Sequence, residues 1–143
     1  MQNIQLTLTP EQARVVQDAL DLYTRITLGQ FEKLTELMRS GVVSRSGNPD
    51  KPRALPTIEN IEFCEALLKQ VKSELGFPLN GSHGIGHAHV HLSGARAYEI
   101  HKVLARTLAE MTNPNPSFKG VNYDGLLVRY TQDPEPVAVP SPQ

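Results

Sequence analysis

Four of the chain's five histidines and three glycines fall within thirteen residues, Asn80-Gly81-Ser82-His83-Gly84-Ile85-Gly86-His87-Ala88-His89-Val90-His91-Leu92. If residues 87–91 are extended, His87, His89 and His91 face the same side, because strand side chains alternate. Three imidazoles on one face suit zinc with an open fourth position. They also suit phosphoryl chemistry. The glycines offer a third use, since they let backbone N–H groups approach an anion closely while His83 or His87 donates to it. No Gly-Lys-Ser/Thr follows, which excludes the usual P-loop, and the Gly-x-Gly-x-x-Gly spacing of dinucleotide folds is absent. No Cys, Asp or Glu adjoins the cluster as a further ligand, so neither a metal nor another cofactor is expected. We favour the anion-loop use.

The run His-Ala-His-Val-His-Leu resembles the core of the histidine-triad nucleotide hydrolases. That resemblance implies His89 as the nucleophile that attacks a phosphate. Two departures stand against it. Ser93 takes the place of the second apolar residue that the family has after its third histidine. The segment leading into the cluster also reads as helical, where the family has a sheet. A histidine-dependent phosphoesterase using His87, His89 and His91 is therefore kept as the alternative.

Other polar groups lie apart in the sequence. Tyr23, Arg25 and Gln30 occupy the middle of a long helical pattern, and an Arg near a packed seam must be paired with a neighbour, another subunit or a bound anion. Asn122, Asp124, Arg129 and Tyr130 form a second group. Arg serves phosphate, Asn or Asp serves a ribose or base edge, and Tyr serves stacking. Tyr98, Tyr123 and Phe118 add further stacking surfaces. Cys64, the chain's lone cysteine, sits beside an apolar stripe and reads as a core residue.

The elements that position these groups follow from periodicity. Residues 2–8 alternate, with Ile4, Leu6 and Leu8 on one face, which predicts a strand. Thr9-Pro10-Glu11-Gln12 predicts a helix start with a capping box. Val16, Leu20, Tyr23, Ile26, Leu34 and Leu37 then recur at helical spacing up to Gly41. About 30 residues at 1.5 Å each make a rod of roughly 45 Å, longer than a compact domain of this size, roughly 30 to 40 Å across. Such a rod predicts a homo-oligomer. Gly29 inside it should cost roughly 1 kcal/mol relative to Ala.

Residues 42–56 read as a mobile connector, and a second helix is expected from about Thr57 to Leu75, ended by Gly76 and Pro78. A third begins near Ser93, a candidate cap, and stops at Asn113-Pro114-Asn115-Pro116. Val121–Tyr130, with Asp124-Gly125 as a tight-turn signal, predicts a terminal hairpin. The fold class expected is α+β and helix-dominated: an N-terminal strand, two long helices, a third helix and a short C-terminal hairpin in a small antiparallel sheet. Residues 1–131 are expected to form one domain and residues 132–143 a disordered Pro-rich tail.

Composition narrows the function classes. The chain has 143 residues with 14 Lys+Arg against 15 Asp+Glu, a near-balance that argues against nucleic-acid or membrane-surface binding. No apolar run approaches the roughly 18 residues of a membrane span. No signal peptide is evident, and a lone cysteine fits a reducing compartment. We expect a cytoplasmic protein.

The order of motifs carries a further resemblance. Leu20-Asp21-Leu22-Tyr23-Thr24-Arg25-Ile26-Thr27-Leu28-Gly29-Gln30-Phe31-Glu32 precedes a second helix and Gly84-Ile85-Gly86-His87. Ala95-Arg96-Ala97-Tyr98-Glu99-Ile100-His101-Lys102-Val103-Leu104 and Val121-Asn122-Tyr123 follow. Over residues 2 to 130 the chain resembles the Thoeris anti-defence sponges, small phage-encoded proteins that sequester the cyclic ADP-ribose isomers made as bacterial immune signals. The resemblance implies a dimer or a hexamer of dimers that binds the signal between subunits without cleaving it, with cyclic oligonucleotides as a second ligand class in some members. His89 and His91 have no counterpart in that pattern. From chemistry and position, the ligand-binding residues expected are Arg25, His87, Tyr98, Asn122, Tyr123 and Arg129, with no catalytic residue. A phage structural or assembly factor is the remaining possibility.

Overall fold

The computed structural model describes residues 2–142. Among them are four α-helices: α1 (Pro10–Thr27), α2 (Lys33–Arg39), α3 (Ile58–Glu74) and α4 (Leu92–Thr112). A 3-10 turn at Val121–Tyr123 completes the regular structure. The described residues contain no strand. The expected α+β class, with its N-terminal strand and C-terminal hairpin in an antiparallel sheet, is therefore corrected to a helical fold. No helix among the described residues is long and apolar enough to cross a membrane.

Both missing strands have a physical cause. Residues 2–8 alternate in sequence, but no second strand is present to take their backbone hydrogen bonds, and Ile4 is 97% exposed. Alternation selects a face only where a ladder exists to hold it. At the other terminus, Val121–Tyr123 coils into the 3-10 turn and Gly125 takes φ +68°. The backbone N–H groups of Tyr130 and Thr131 then donate to the Glu99 carboxylate, at 2.6 and 2.9 Å, rather than to a facing strand. A side chain replaces the hairpin partner.

The long first rod is corrected as well. Helix α1 starts as its sequence dictates: Thr9 N–H donates to Gln12 Oε1 at 3.0 Å and Gln12 N–H to Thr9 Oγ1 at 3.2 Å, the reciprocal capping box. It ends at Thr27, after about 27 Å of rise, because Gly29 adopts φ +89°. The chain turns there and resumes as the seven residues of α2. The rod that suggested self-association by its length does not form.

Contacts group the chain into two compact units. One holds the residues up to Thr24 together with those from Ala88 onward, and the other holds Arg25–His87. In the first, α1 and α4 are antiparallel: Arg14 reaches Thr112 Oγ1 at 3.2 Å, and Tyr23 Oη bonds Ser93 Oγ at 2.9 Å. Ala95, Ala97, Ala105 and Leu108 are buried along α4, and the three alanines admit close packing. Toward the C-terminus, Thr107 Oγ1 donates to the Ala138 carbonyl at 2.9 Å, and Arg96 Nε meets Asp133 at 2.6 Å.

In the second unit, α2 packs on α3. An Arg39–Glu65 ion pair joins them, and Thr35, fully buried, donates to the Glu32 carbonyl at 2.7 Å. Helix α3 opens on a second capping box, Thr57 with Asn60, and closes before Gly76 at φ +81°. Residues 42–56 hold no helix or strand. Arg45 N–H donates to the Ala54 carbonyl at 2.9 Å, Val43 N–H to Leu37 at 3.1 Å, and the Asn48 side chain accepts from Asp50 N–H at 2.9 Å.

Candidate functional site

The break at Gly29 builds the site. Reversing the chain after α1 sets Gln30 back against the helix end, where its N–H donates to the Arg25 carbonyl at 2.9 Å. The Arg25 guanidinium then donates to Gln30 Oε1 at 2.8 Å, and Gln30 Nε2 donates to Ser82 Oγ at 3.2 Å. One backbone bond anchors the glycine- and histidine-rich segment to the same turn: His83 N–H to the Leu28 carbonyl, 2.9 Å. Arg25, Gln30 and Ser82 thus form a polar relay within this unit.

Beside it runs a stack of rings. Phe31 meets Phe77 edge to face at 5.8 Å, Phe77 meets His83 at 4.7 Å, and His83 and His87 stack almost parallel at 3.8 Å and 5°. A turn closed by His87 N–H and the Gly84 carbonyl at 3.0 Å sets the last pair. Their ring nitrogens come within 4.8 Å of each other, so both can address one ligand. An imidazole face and a guanidinium in one unit suit a planar, phosphorylated ligand.

The other four expected residues lie in the first unit, where three of them make contacts. Arg129 Nε donates to Glu99 Oε1 at 2.9 Å, and its Nη2 donates to the Asp133 carbonyl. Tyr123 Oη donates to the Asn113 carbonyl at 2.8 Å. Tyr98 meets Tyr130 edge to face at 5.7 Å, and burial, with Tyr130 close by, pushes its phenol above the usual value. Asn122 is exposed on the 3-10 turn. Arg25 and His87 belong to the second unit, so neither unit by itself unites all six.

Glu99 is the residue that sequence reasoning passed over. It is 1% exposed. Burial alone would raise its carboxyl, but bonds from Thr131 Oγ1 at 2.7 Å, the Tyr130 and Thr131 N–H groups, and Arg129 outweigh that cost. The carboxyl is held below the usual range. Its sequence signal was a lone acid among Ala95, Ala97 and Ile100 on an apolar helix face.

The extended segment required by the three-histidine reading is absent. Residues 85–90 form turns. His91 caps α4 in place of Ser93: its Nδ1 accepts the Ser93 N–H at 3.2 Å and lies 2.8 Å from Ser93 Oγ. Compared with family models, curated proteins and solved structures, the chain matches none.

Proposed function

We propose that the chain is a cytoplasmic phage anti-defence sponge, which binds a cyclic nucleotide immune signal, a cyclic ADP-ribose isomer, and holds it uncleaved. The observation that carries this reading is the Arg25–Gln30–Ser82 relay beside the His83–His87 stack. Guanidinium and loop amides address the phosphates, and an imidazole face addresses the base. The resemblance to the Thoeris anti-defence sponges over residues 2 to 130 points to the same reading.

The active form in this reading is a homo-oligomer, a dimer or a hexamer. Phe63, Leu67, Val71 and Leu75 recur at four-residue spacing along α3 and beyond its end, and all four are exposed. Contiguous apolar surface of this kind favours coverage by another subunit.

The rival is a phosphoesterase working through His87, His89 and His91. The turns over residues 85–90 and the capping role of His91 favour binding over that arrangement. One experiment separates them. The protein is incubated with cyclic ADP-ribose isomers, freed of unbound ligand, and then heat-denatured. Intact signal released from the denatured protein supports sequestration. A chemically altered product, or no retained signal, overturns it.

A further inference from the structure

Helix α3 buries one charge on its apolar face. Lys72 shares that face with Ile61 and Leu68, and it is only 4% exposed. Lysine is almost never buried unless its charge is matched. Here the ammonium meets Glu32 Oε2 at 3.6 Å, beyond hydrogen-bond range. The Glu32 side chain is itself 54% exposed, so water competes for that carboxylate. Yet no fully enclosed side-chain nitrogen or oxygen among the described residues lacks a hydrogen-bond partner. The Lys72 stem is therefore enclosed while its Nζ opens onto space.

Lys72 also lines a cavity of about 330 Å³ in the second unit. Its lining includes Lys69, Lys72, Glu32, Glu65, Leu68 and Asn80. The lining carries Lys69 and Lys72 against Glu32 and Glu65, and Glu65 is also ion-paired with Arg39 beside it. With Arg39 counted, three cations meet two carboxylates. An ammonium carries three donors, and an apolar occupant would leave them unmatched.

We propose that this cavity is a phosphate-binding pocket, with the Lys72 ammonium as its inner donor and Lys69 and Asn80 on its wall. A tetrahedral oxyanion brings several acceptors to one point and meets the donors of Lys72 together. Glu32, largely exposed, yields its place to the incoming anion. The inference goes beyond the nucleotide reading, because it rests on the cavity whichever phosphorylated compound supplies the group. Free phosphate and a nucleotide phosphate share the chemistry, and the test distinguishes them.

The full chain is titrated calorimetrically with inorganic phosphate and with cyclic ADP-ribose, as wild type and as Lys72→Met, Lys69→Gln and Asn80→Ala. Circular dichroism checks that each variant folds; Lys69 is exposed, so Lys69→Gln keeps the test open if Lys72→Met does not fold. The expected result is a loss of affinity of tenfold or more for Lys69→Gln and for folded Lys72→Met. If inorganic phosphate alone shows that loss, the pocket serves free phosphate; if the nucleotide shows it, the pocket holds a nucleotide phosphate. Nucleotide binding within twofold of wild type in every variant, without variant-sensitive phosphate binding, overturns the pocket and leaves the proposed function standing. Binding of neither probe overturns both.

Discussion

The Phe77 ring occupies the space where a side chain on residue 29 would lie: a Cβ built on Gly29 falls 2.4 Å from Phe77 Cε1. The same glycine holds φ +89°, which only glycine adopts without strain. One position therefore ends α1 and seats the ring that leads to His83 and His87. Gly29→Ala combines a strained backbone with overpacking, and we expect a loss of about 1–3 kcal/mol or more. Urea denaturation measures it. A variant as stable as wild type would show that Phe77 shifts freely, and the ring stack would lose its assigned anchor.

Arg25 is expected to carry ligand affinity. Its guanidinium is oriented by Gln30, and a charge-assisted bond to phosphate contributes roughly 1.5–3 kcal/mol, about a 10- to 150-fold change in dissociation constant. Arg25→Ala should weaken cyclic ADP-ribose binding by that factor in calorimetry. Gln30→Ala, which removes only the orienting contact, should cost less. Equal affinity in both variants would move the phosphate site elsewhere.

His91 gives a contrast. As the N-cap of α4 it accepts the Ser93 N–H, so His91→Ala should cost about 1 kcal/mol of stability and leave nucleotide binding within twofold. Thermal melts and ligand titration read the two effects separately. Loss of a nucleotide-hydrolysing activity in His91→Ala or His89→Ala would favour the phosphoesterase instead.

Glu99 makes stability pH-dependent. Its folded carboxyl titrates below the unfolded value, so the unfolded chain binds the proton more readily. The stabilisation is present above the unfolded pKa of about 4.3 and is lost as pH falls through the folded value. Acid melts of wild type should show destabilisation over that range, and Glu99→Gln should flatten it. Glu99→Ala at neutral pH leaves Arg129, Thr131 and two N–H groups without their acceptor, for a cost of about 3–5 kcal/mol. An unchanged acid profile in Glu99→Gln would assign the transition to other carboxylates.

What the sequence alone determined is the local helical grammar. Thr9 and Gln12 mark the start of α1, and the apolar spacing after Thr57 marks α3 up to Gly76. Asn113-Pro114 stops α4. Each signal acts within about four residues, the reach of a helical hydrogen bond, so a short window contains its cause. It also placed Arg25 and His87, with Tyr98, Asn122, Tyr123 and Arg129, on a list of binding candidates by chemical type.

Tertiary contacts decided the rest. Alternation at residues 2–8 became no strand, because a strand needs a distant partner and none formed. Residues 121–130 became no hairpin: Val121–Tyr123 coil into a 3-10 turn, and Glu99, some 30 positions away in sequence, takes up the Tyr130 N–H. The long rod broke at Gly29, which takes φ +89° and whose missing side chain leaves room for the distant Phe77 ring. Lys72 lies buried although its type favours solvent. In each case the deciding partner lies outside any local window, and only the folded chain brings it within bonding distance.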